Sequence, residues 1–227
     1  MLELIMQTKK EIFTDIVLID IIGFSMLNSR QQLEIISFLT RSYRKVIEKI
    51  LLQSKLDLEN FIIGFIPTGD GFYCILNPEY KGYGSILGLS FNHFSEQITK
   101  MFPYFQGVRI AVHTGEIYQF KDILEHKNFI GEGLNDCARY LELKDFTIST
   151  VMVSDVAYDN LKKFLEEKKD YKKLLHQQEF KRSNAYFFKD KHQQIKKGYL
   201  IWVRKSGIII PPKYALYKKA TIEKEKI

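Results

Sequence analysis

Few features of this chain declare a class outright, and each absence narrows the choice. Only 2 of its 227 residues are cysteine. Cys74 and Cys137 form neither a disulfide framework nor a metal-ligand spacing, so they read as inert core thiols in a reducing compartment. No apolar run is long enough to cross a bilayer. The opening MLELIMQTKKEIFTD lacks the charged start, long apolar stretch and small-residue cleavage site of a signal peptide. The expectation is a cytoplasmic protein with no membrane partner. Zinc ligands, an RNP-like sequence and a helix-turn-helix signal are missing too, which leaves nothing specific to recommend nucleic acid as a partner. There is no internal repeat, no low-complexity tract and no obvious linker.

The chain is rich in core-forming residues: 45% are hydrophobic, with 17 Phe and 13 Tyr, a composition that argues against disorder. The length fits one domain over residues 1–227, with a core of about 13–155 and a C-terminal helix and closing strands over 156–227. The net charge of +7 is concentrated in LKKFLEEKKDYKKLLHQQEFKRS and KDKHQQIKKG. A solvated helix face, a polyanion partner and a field that draws in a phosphate-rich substrate all fit it, and charge alone does not choose.

Periodicity gives the order of elements. Asp15 to Phe24 is β-branched and nearly continuously apolar, a strand buried on both faces. A helix follows from about Ser29, with Leu33, Ile36, Leu39, Tyr43, Val46, Ile47 and Ile50 on one side. Phe61 to Pro67 and Phe72 to Leu76 are strands joined through Thr68-Gly69-Asp70-Gly71, a hairpin sequence. A helix from about Ser85 to Met101 stops before Pro103. VRIAVHTGEIYQF is a strand interrupted at Thr114-Gly115, where the glycine marks a bulge or the close approach of a ligand. GEGLNDCARYLEL turns helical, FTISTVMVSD is a strand, VAYDNLKKFLEEKKDYKKLL is one helix, and AYFFKD with GYLIWVRKSGIIIPP is a closing pair of strands. Strands alternating with helices around a central hairpin predict an α+β sandwich with one mixed or antiparallel sheet.

Two carboxylates stand out. Asp20 lies inside the apolar run VLIDIIGFSML, and Asp70 lies at the hairpin tip of FIIGFIPTGDGFYCIL. In a split βαβ arrangement the first strand and the hairpin are neighbours, so the two carboxylates converge at one sheet end and can bind hard divalent ions through oxygen. The plainer alternative is a buried Asp making backbone hydrogen bonds and a turn Asp with no further role. Gly23-Phe24-Ser25 follows where the chain leaves the strand, and amides in such a turn suit phosphate. After IGEGL, Asn135 and Arg139 are four apart and share a helix face, fit to hold a sugar and a phosphoryl group. The alternative is a surface Asn and an Arg paired with Glu132 or Glu142.

In order and spacing, VLIDIIGFSML, PTGDGFYCIL, VRIAVHTGEI and IGEGLNDCARYLEL resemble the class III nucleotide cyclases, the adenylyl and guanylyl cyclase catalytic domains, over about Asp15 to Ser154. The resemblance implies a ferredoxin-like α+β domain with a mostly antiparallel central sheet and flanking helices. It further implies a head-to-tail homodimer whose sites are built across two chains. In that arrangement Asp20, Asp70 and the carbonyl of Ile21 hold two Mn²⁺ or Mg²⁺ ions per site. Gly23, Phe24 and Ser25 contact the triphosphate, Asn135 orients the ribose, and Arg139 neutralises charge on the α-phosphoryl group. One of Lys189, Lys191, Lys196 or Lys197 reaching the triphosphate is open, and spacing does not select among them.

The departures from the pattern are informative. Purine cyclases of this family read the base at two positions that here hold Ile66 and Asn128. Ile66 cannot hydrogen-bond a purine edge, whereas the Asn128 amide offers both donor and acceptor to a pyrimidine. The short cyclases with a PTGDG turn that this chain resembles are the bacterial Pycsar pyrimidine cyclases, which make cyclic UMP or cyclic CMP as an antiphage alarm for a separate effector protein and carry no fused receptor, anchor or regulatory domain. The expectation is therefore cyclisation of UTP, or CTP, with release of pyrophosphate. A purine cyclase with unusual base recognition and a non-catalytic nucleotide-binding module are the alternatives.

Overall fold

The first strand, β1 (Lys10–Ile21), is the spine of the molecule. Its alternation sends Val17, Ile19 and Ile21 to one apolar cluster and Ile12, Ile16 and Leu18 to the other, so both faces are covered. The computed structural model describes residues 10–54, 57–142, 150–190 and 192–203. After β1 come α1 (Ser29–Ser54), the short α2 (Leu58–Phe61), β2 (Ile62–Pro67), β3 (Gly71–Leu76), α3 (Tyr83–Thr99), β4 (Val108–Lys121) and β5 (Lys127–Ile130). The rest is α4 (Glu132–Arg139), β6 (Thr150–Ser154), α5 (Asp155–Glu167), α6 (Lys169–Gln177), β7 (Phe180–Arg182), β8 (Tyr186–Lys189) and β9 (Ile195–Val203).

The strands form one sheet in the order β2-β3-β1-β4-β6-β9-β7, with β5 paired to β4 and β8 to β9. Its pairings are antiparallel except β4 with β6, which is parallel. One face carries α1, α3 and α5 through residues such as Leu39, Tyr43, Leu87, Phe91 and Leu161. The other carries α4 through Cys137, backed by Tyr140, Phe188 and Leu200. The result is a mixed α/β arrangement of central sheet and flanking helices, as the sequence predicts. Both cysteines are buried, and burial pushes the Cys74 thiol up to about 12.

A second carboxylate in β1 shows what a structural aspartate looks like. Asp15 points to the α3 face and is 1% exposed. Its carboxylate accepts the Gly82 amide at 2.6 Å, the Gly84 amide at 3.1 Å and the Thr114 hydroxyl at 2.6 Å. It thereby caps the start of α3, where a negative group meets free amides and the positive end of the helix dipole. Burial still raises its pKa against those bonds.

Several predicted boundaries are corrected. Ile35 rather than Leu33 belongs to the buried stripe of α1, since Leu33 is 68% exposed; the seam runs Ile35, Leu39, Tyr43, Val46, Ile50. Phe61 closes α2 instead of opening β2. The predicted break in β4 does not exist, because its pairing with β1 runs in register through Thr114↔Asp15 and Gly115↔Thr14. Gly115 is instead met by a helix: a Cβ there would lie 2.9 Å from the Gly133 Cα of α4. The long helix after β6 is two helices that part at Lys168, whose φ of −100° and ψ of 77° are not helical. Strands β5 and β7 are too short and polar to be seen by alternation. Residues 146–149 of the predicted FTISTVMVSD strand, the end of the last strand beyond 203, and Lys191 lie outside the described residues.

Candidate functional site

Asp20 continues the alternation of Ile16 and Leu18, which puts its side chain on the α4 face of the sheet. Directly across the ladder, Asp20 pairs in register with Arg109 of β4 on one side and Gly71 of β3 on the other. Arg109 donates to the Asp20 Oδ2 from Nε at 2.8 Å and also from Nη2. No backbone amide reaches the Asp20 carboxylate among the described residues, in contrast to Asp15. The plainer account, a buried Asp satisfied by backbone, therefore describes Asp15 and not Asp20.

The hairpin tip brings Asp70 to the same place. The Ile21 amide donates to the Asp70 carbonyl at 2.9 Å, and the Thr68 amide closes the turn on the Gly71 carbonyl at 2.9 Å. The approach is so close that a Cβ on Gly71 would lie 1.8 Å from the Ile19 carbonyl oxygen, so only glycine fits between the strands here. The Asp20 pKa is raised, first by burial; Arg109 opposes that, and the Asp70 charge adds to it. Two carboxylates that repel one another, one of them partly desolvated, form a hard oxygen donor pair suited to a divalent cation. Residues Asp20, Asp70 and the neighbouring Ile21 carbonyl fit such an ion chemically, and Arg109 is paired with Asp20 beside them.

The chain leaves β1 through Gly23, whose φ of 68° is left-handed. A one-turn 3₁₀ helix over Phe24–Met26 follows, tied by the Gln32 side chain to the Phe24 carbonyl at 3.1 Å. Phe24 packs against the core and Ser25 is exposed, so the predicted phosphate turn sits directly beside the carboxylate pair.

Asn135 and Arg139 are both on α4 but in different surroundings. Asn135 is exposed. The Arg139 side chain is 12% exposed and its Nη1 is paired with Asp136 and, at 3.0 Å, with Asp190. Glu132 and Glu142, the partners weighed from spacing, are not its partners. Asp136 also accepts Lys196 Nζ at 2.8 Å, and His113 Nε2 lies 4.0 Å from it. Burial pushes His113 down to about 4, so it is neutral and that contact is not an ion pair near neutrality. Burial works to raise Asp190, but the amides of Gln194 and His192, then Arg139 and Lys196, outweigh it and hold its carboxyl below the usual range. Among the described lysines considered for the triphosphate, Lys196 shares Asp136 with Arg139, whereas Lys197 is 3.0 Å from Asp155 and Lys189 is exposed.

The two charge clusters share the α4 face without merging. Arg109 and His113 are four residues apart on β4, about 13 Å along the strand at its usual rise. Asp20 finds Arg109 and Asp70, and Arg139 finds Asp136 and Asp190. The predicted base positions lie on two different strands, Ile66 on β2 and Asn128 on β5. Ile66 pairs in register with Tyr73, whose hydroxyl donates to the Leu134 carbonyl at 3.4 Å beside Asn135. Asn128 sits on β5, which crosses β2 closely enough that a Cβ on Gly64 would be 2.3 Å from the Phe129 ring. Burial raises the Tyr73 hydroxyl to about 12.

Sequence reasoning missed Arg109, Asp136 and Asp190. For Arg109 a signal exists: it is a lone charge in the apolar strand VRIAV, the same irregularity that marks Asp20. Asp190 has none, since its partner is remote in sequence.

No protein-family model matches the chain, and no curated protein matches it. Solved structures do. The catalytic core of a rhodopsin-guanylyl cyclase with converted specificity, in complex with ATPalphaS, superposes with a TM-score of 0.57 at 15% identity, covering 86% of this chain and 98% of that one. The adenylyl cyclase CyaB from P. aeruginosa gives 0.57 at 13% identity, over 85% of this chain and 95% of that one. The guanylate cyclase domain of RhGC from Catenaria anguillulae, in complex with GTP, gives 0.55 at 14% identity, over 86% and 100%. The chain has the fold of the class III cyclase catalytic domains.

Proposed function

We propose that the chain is a single-domain nucleotide cyclase that closes a pyrimidine nucleoside triphosphate, UTP ahead of CTP, to the 3′,5′-cyclic nucleotide and pyrophosphate. The observation that carries this reading is the convergence of Asp20 and Asp70 at one end of β1, on the face that also presents Arg139. Two chains in a head-to-tail homodimer would bring the carboxylates of one to Asn135 and Arg139 of the other, giving two equivalent sites. The separation of the two clusters within one chain supports such a composite site.

Each residue then has a task. Divalent ions, Mn²⁺ or Mg²⁺, would be held by Asp20, Asp70 and the Ile21 carbonyl, and would lower the pKa of the 3′-hydroxyl and carry triphosphate charge. Gly23, Phe24 and Ser25 cradle phosphate with backbone amides. Asn135 hydrogen-bonds the ribose so that the 3′-oxygen stands in line with the α-phosphorus, which supplies the orientation contribution. Arg139 donates to the α-phosphoryl oxygens as their charge grows. Arg109, paired with Asp20, would stand beside those ions as a further positive group. Ile66 offers the base an apolar wall, and Asn128 offers it an amide. The product would act as an alarm signal on a separate effector protein in antiphage defence.

The solved neighbours include adenylyl and guanylyl cyclases, so a purine substrate with unusual base contacts is the second reading. Incubation of the purified protein with ATP, GTP, CTP and UTP separately, with Mn²⁺ and mass-spectrometric detection, separates the two. A cyclic pyrimidine is the expected product. A cyclic purine would replace the first reading by the second. No product from any of the four would reject the catalytic reading of the purified chain in favour of a nucleotide-binding module.

A further inference from the structure

The β8–β9 hairpin grips α4 at two points, and both grips end at Arg139. At the end of β8, Asp190 turns the chain back toward β9. Its backbone amide donates to the Gln194 carbonyl at 3.0 Å, and the Gln193 amide returns to the Asp190 carbonyl at 2.9 Å. Its side chain takes part in the same turn: Oδ1 accepts the amides of His192 at 2.8 Å and Gln194 at 2.9 Å. One carboxylate oxygen is thus fixed by backbone, which fixes the position of the other. That other oxygen, Oδ2, is buried, takes no hydrogen bond among the described residues, and forms an ion pair with Arg139 Nη1 at 3.0 Å. The whole carboxylate is closed off from solvent, with a side-chain exposure of 0%. An enclosed carboxylate oxygen left with a single cationic neighbour is costly to separate from it.

The second grip comes from the other arm. Lys196 of β9 holds Asp136 Oδ2 at 2.8 Å, while Asp136 Oδ1 accepts Arg139 Nη1. The Nη1 corner of Arg139 is therefore shared by two carboxylates, one from its own helix and one from the hairpin. Its Nε is buried with no hydrogen-bond partner among the described residues. A guanidinium held at one corner keeps its remaining donors in a fixed direction, which is what a group meeting a phosphoryl oxygen requires.

We propose that Asp190 is a positioning residue for Arg139, so that the β8–β9 turn sets the direction in which the guanidinium faces substrate. The proposal rests on the reading of Arg139 as the residue that meets the α-phosphoryl group. Asp136 lies on the same helix as Arg139 and is tied to the sheet through Lys196. Asp190 belongs to a different element and ties the guanidinium to the sheet.

The test uses Asp190→Asn in the full chain. The amide oxygen of asparagine keeps the acceptor for both turn amides, so the turn stays, while an uncharged N–H donor replaces the carboxylate oxygen that faced Arg139. Asp190→Ser, whose hydroxyl also retains a turn acceptor, serves if the first variant does not fold. The first readout needs no activity: the side-chain ¹⁵N–¹H signal of Arg139 Nε, assigned by its loss in Arg139→Lys, recorded on the protein alone. In the parent protein it should be sharp and slow to exchange with water, and in the variant exchange should rise about tenfold, the scale of one lost charge-assisted contact. The second readout is turnover of whichever nucleotide the parent protein cyclises. There kcat should fall about tenfold with KM within about twofold, the split expected when only the transition state loses a contact. An unchanged Arg139 signal, or a variant that turns over faster, would overturn the positioning role. A parent protein inactive on every nucleotide would sink the cyclase reading instead, and the Nε measurement would still decide whether Asp190 holds Arg139.

Discussion

The two ends of the α4 face solve opposite electrostatic problems. At the Asp20 end, two carboxylates face one guanidinium, so negative charge is left over and burial drives Asp20 toward its neutral form. At the Arg139 end, two cations and two carboxylates balance, with neutral His113 beside them. The first is one cation short, and the second is nearly buried with its charges balanced. An unbalanced cluster waits for a ligand, whereas a balanced one holds a side chain still. The proposed chemistry needs one of each, a place to take up charge and a fixed group to meet it.

The most damaging way to break this contrast is to remove the surplus charge. Asp70→Ala should lower product formation about a thousandfold, equivalent to roughly 4 kcal/mol of transition-state stabilisation, with the protein still folded and dimeric. Mass spectrometry of the product together with light scattering checks both halves of that statement. Mixing Asp70→Ala with Arg139→Ala then sharpens it. If the two clusters serve each other across chains, random pairing gives half heterodimers with one intact site each, and about a quarter of the parent activity returns. No recovery from two dimeric variants would argue against a site shared between chains.

How far the contrast was legible in the sequence follows from its geometry. Asp20 and Asp70 could be brought together because alternation and a hairpin turn are local signals. Arg109 carried the same mark as Asp20, but only the ladder register shows that the two charges face each other. The Arg139 end was not legible. Spacing offered Glu132 and Glu142 as partners, and the chain uses Asp136, one turn away, with Asp190 from another part of the sheet. Propensity could not foresee the break at Lys168 either, since the lysine-rich run is helical on both sides of it.

Smaller effects probe the mounts of the two ends. Gly71→Ala should destabilise the protein by about 3 kcal/mol in chemical denaturation, because the added methyl has only backbone to displace. At the other end His113 reports enclosure. It is stacked on Tyr140 and flanked by Asp136 and Lys196. Its pKa is about 4 when folded against an ordinary value of 6.5, so between these values the unfolded chain binds a proton that the folded chain refuses. Stability present above the ordinary value is lost as pH falls through that window, up to about 3 kcal/mol. Urea unfolding of the parent and of His113→Gln, from about pH 7 down to about pH 4.5, should show this slope in the parent and a flatter one in the variant. Parallel slopes would mean that His113 is as accessible to protons as a surface histidine.

The place of β1 between β3 and β4 has a consequence for the order of events during synthesis. Asp20 lies 89 positions before the Arg109 that faces it, and α4, with Arg139, comes later still. A ribosome therefore finishes the strand that carries the first carboxylate long before its counter-charge exists, and the ladder that aligns them closes only after a large loop has been ordered. Until β4 emerges, β1 is an apolar strand with no partner on one edge, the kind of segment that invites pairing with another chain. Co-translational handling of the first hundred residues, and not the chemistry of the finished site, should then set how much protein reaches the folded state.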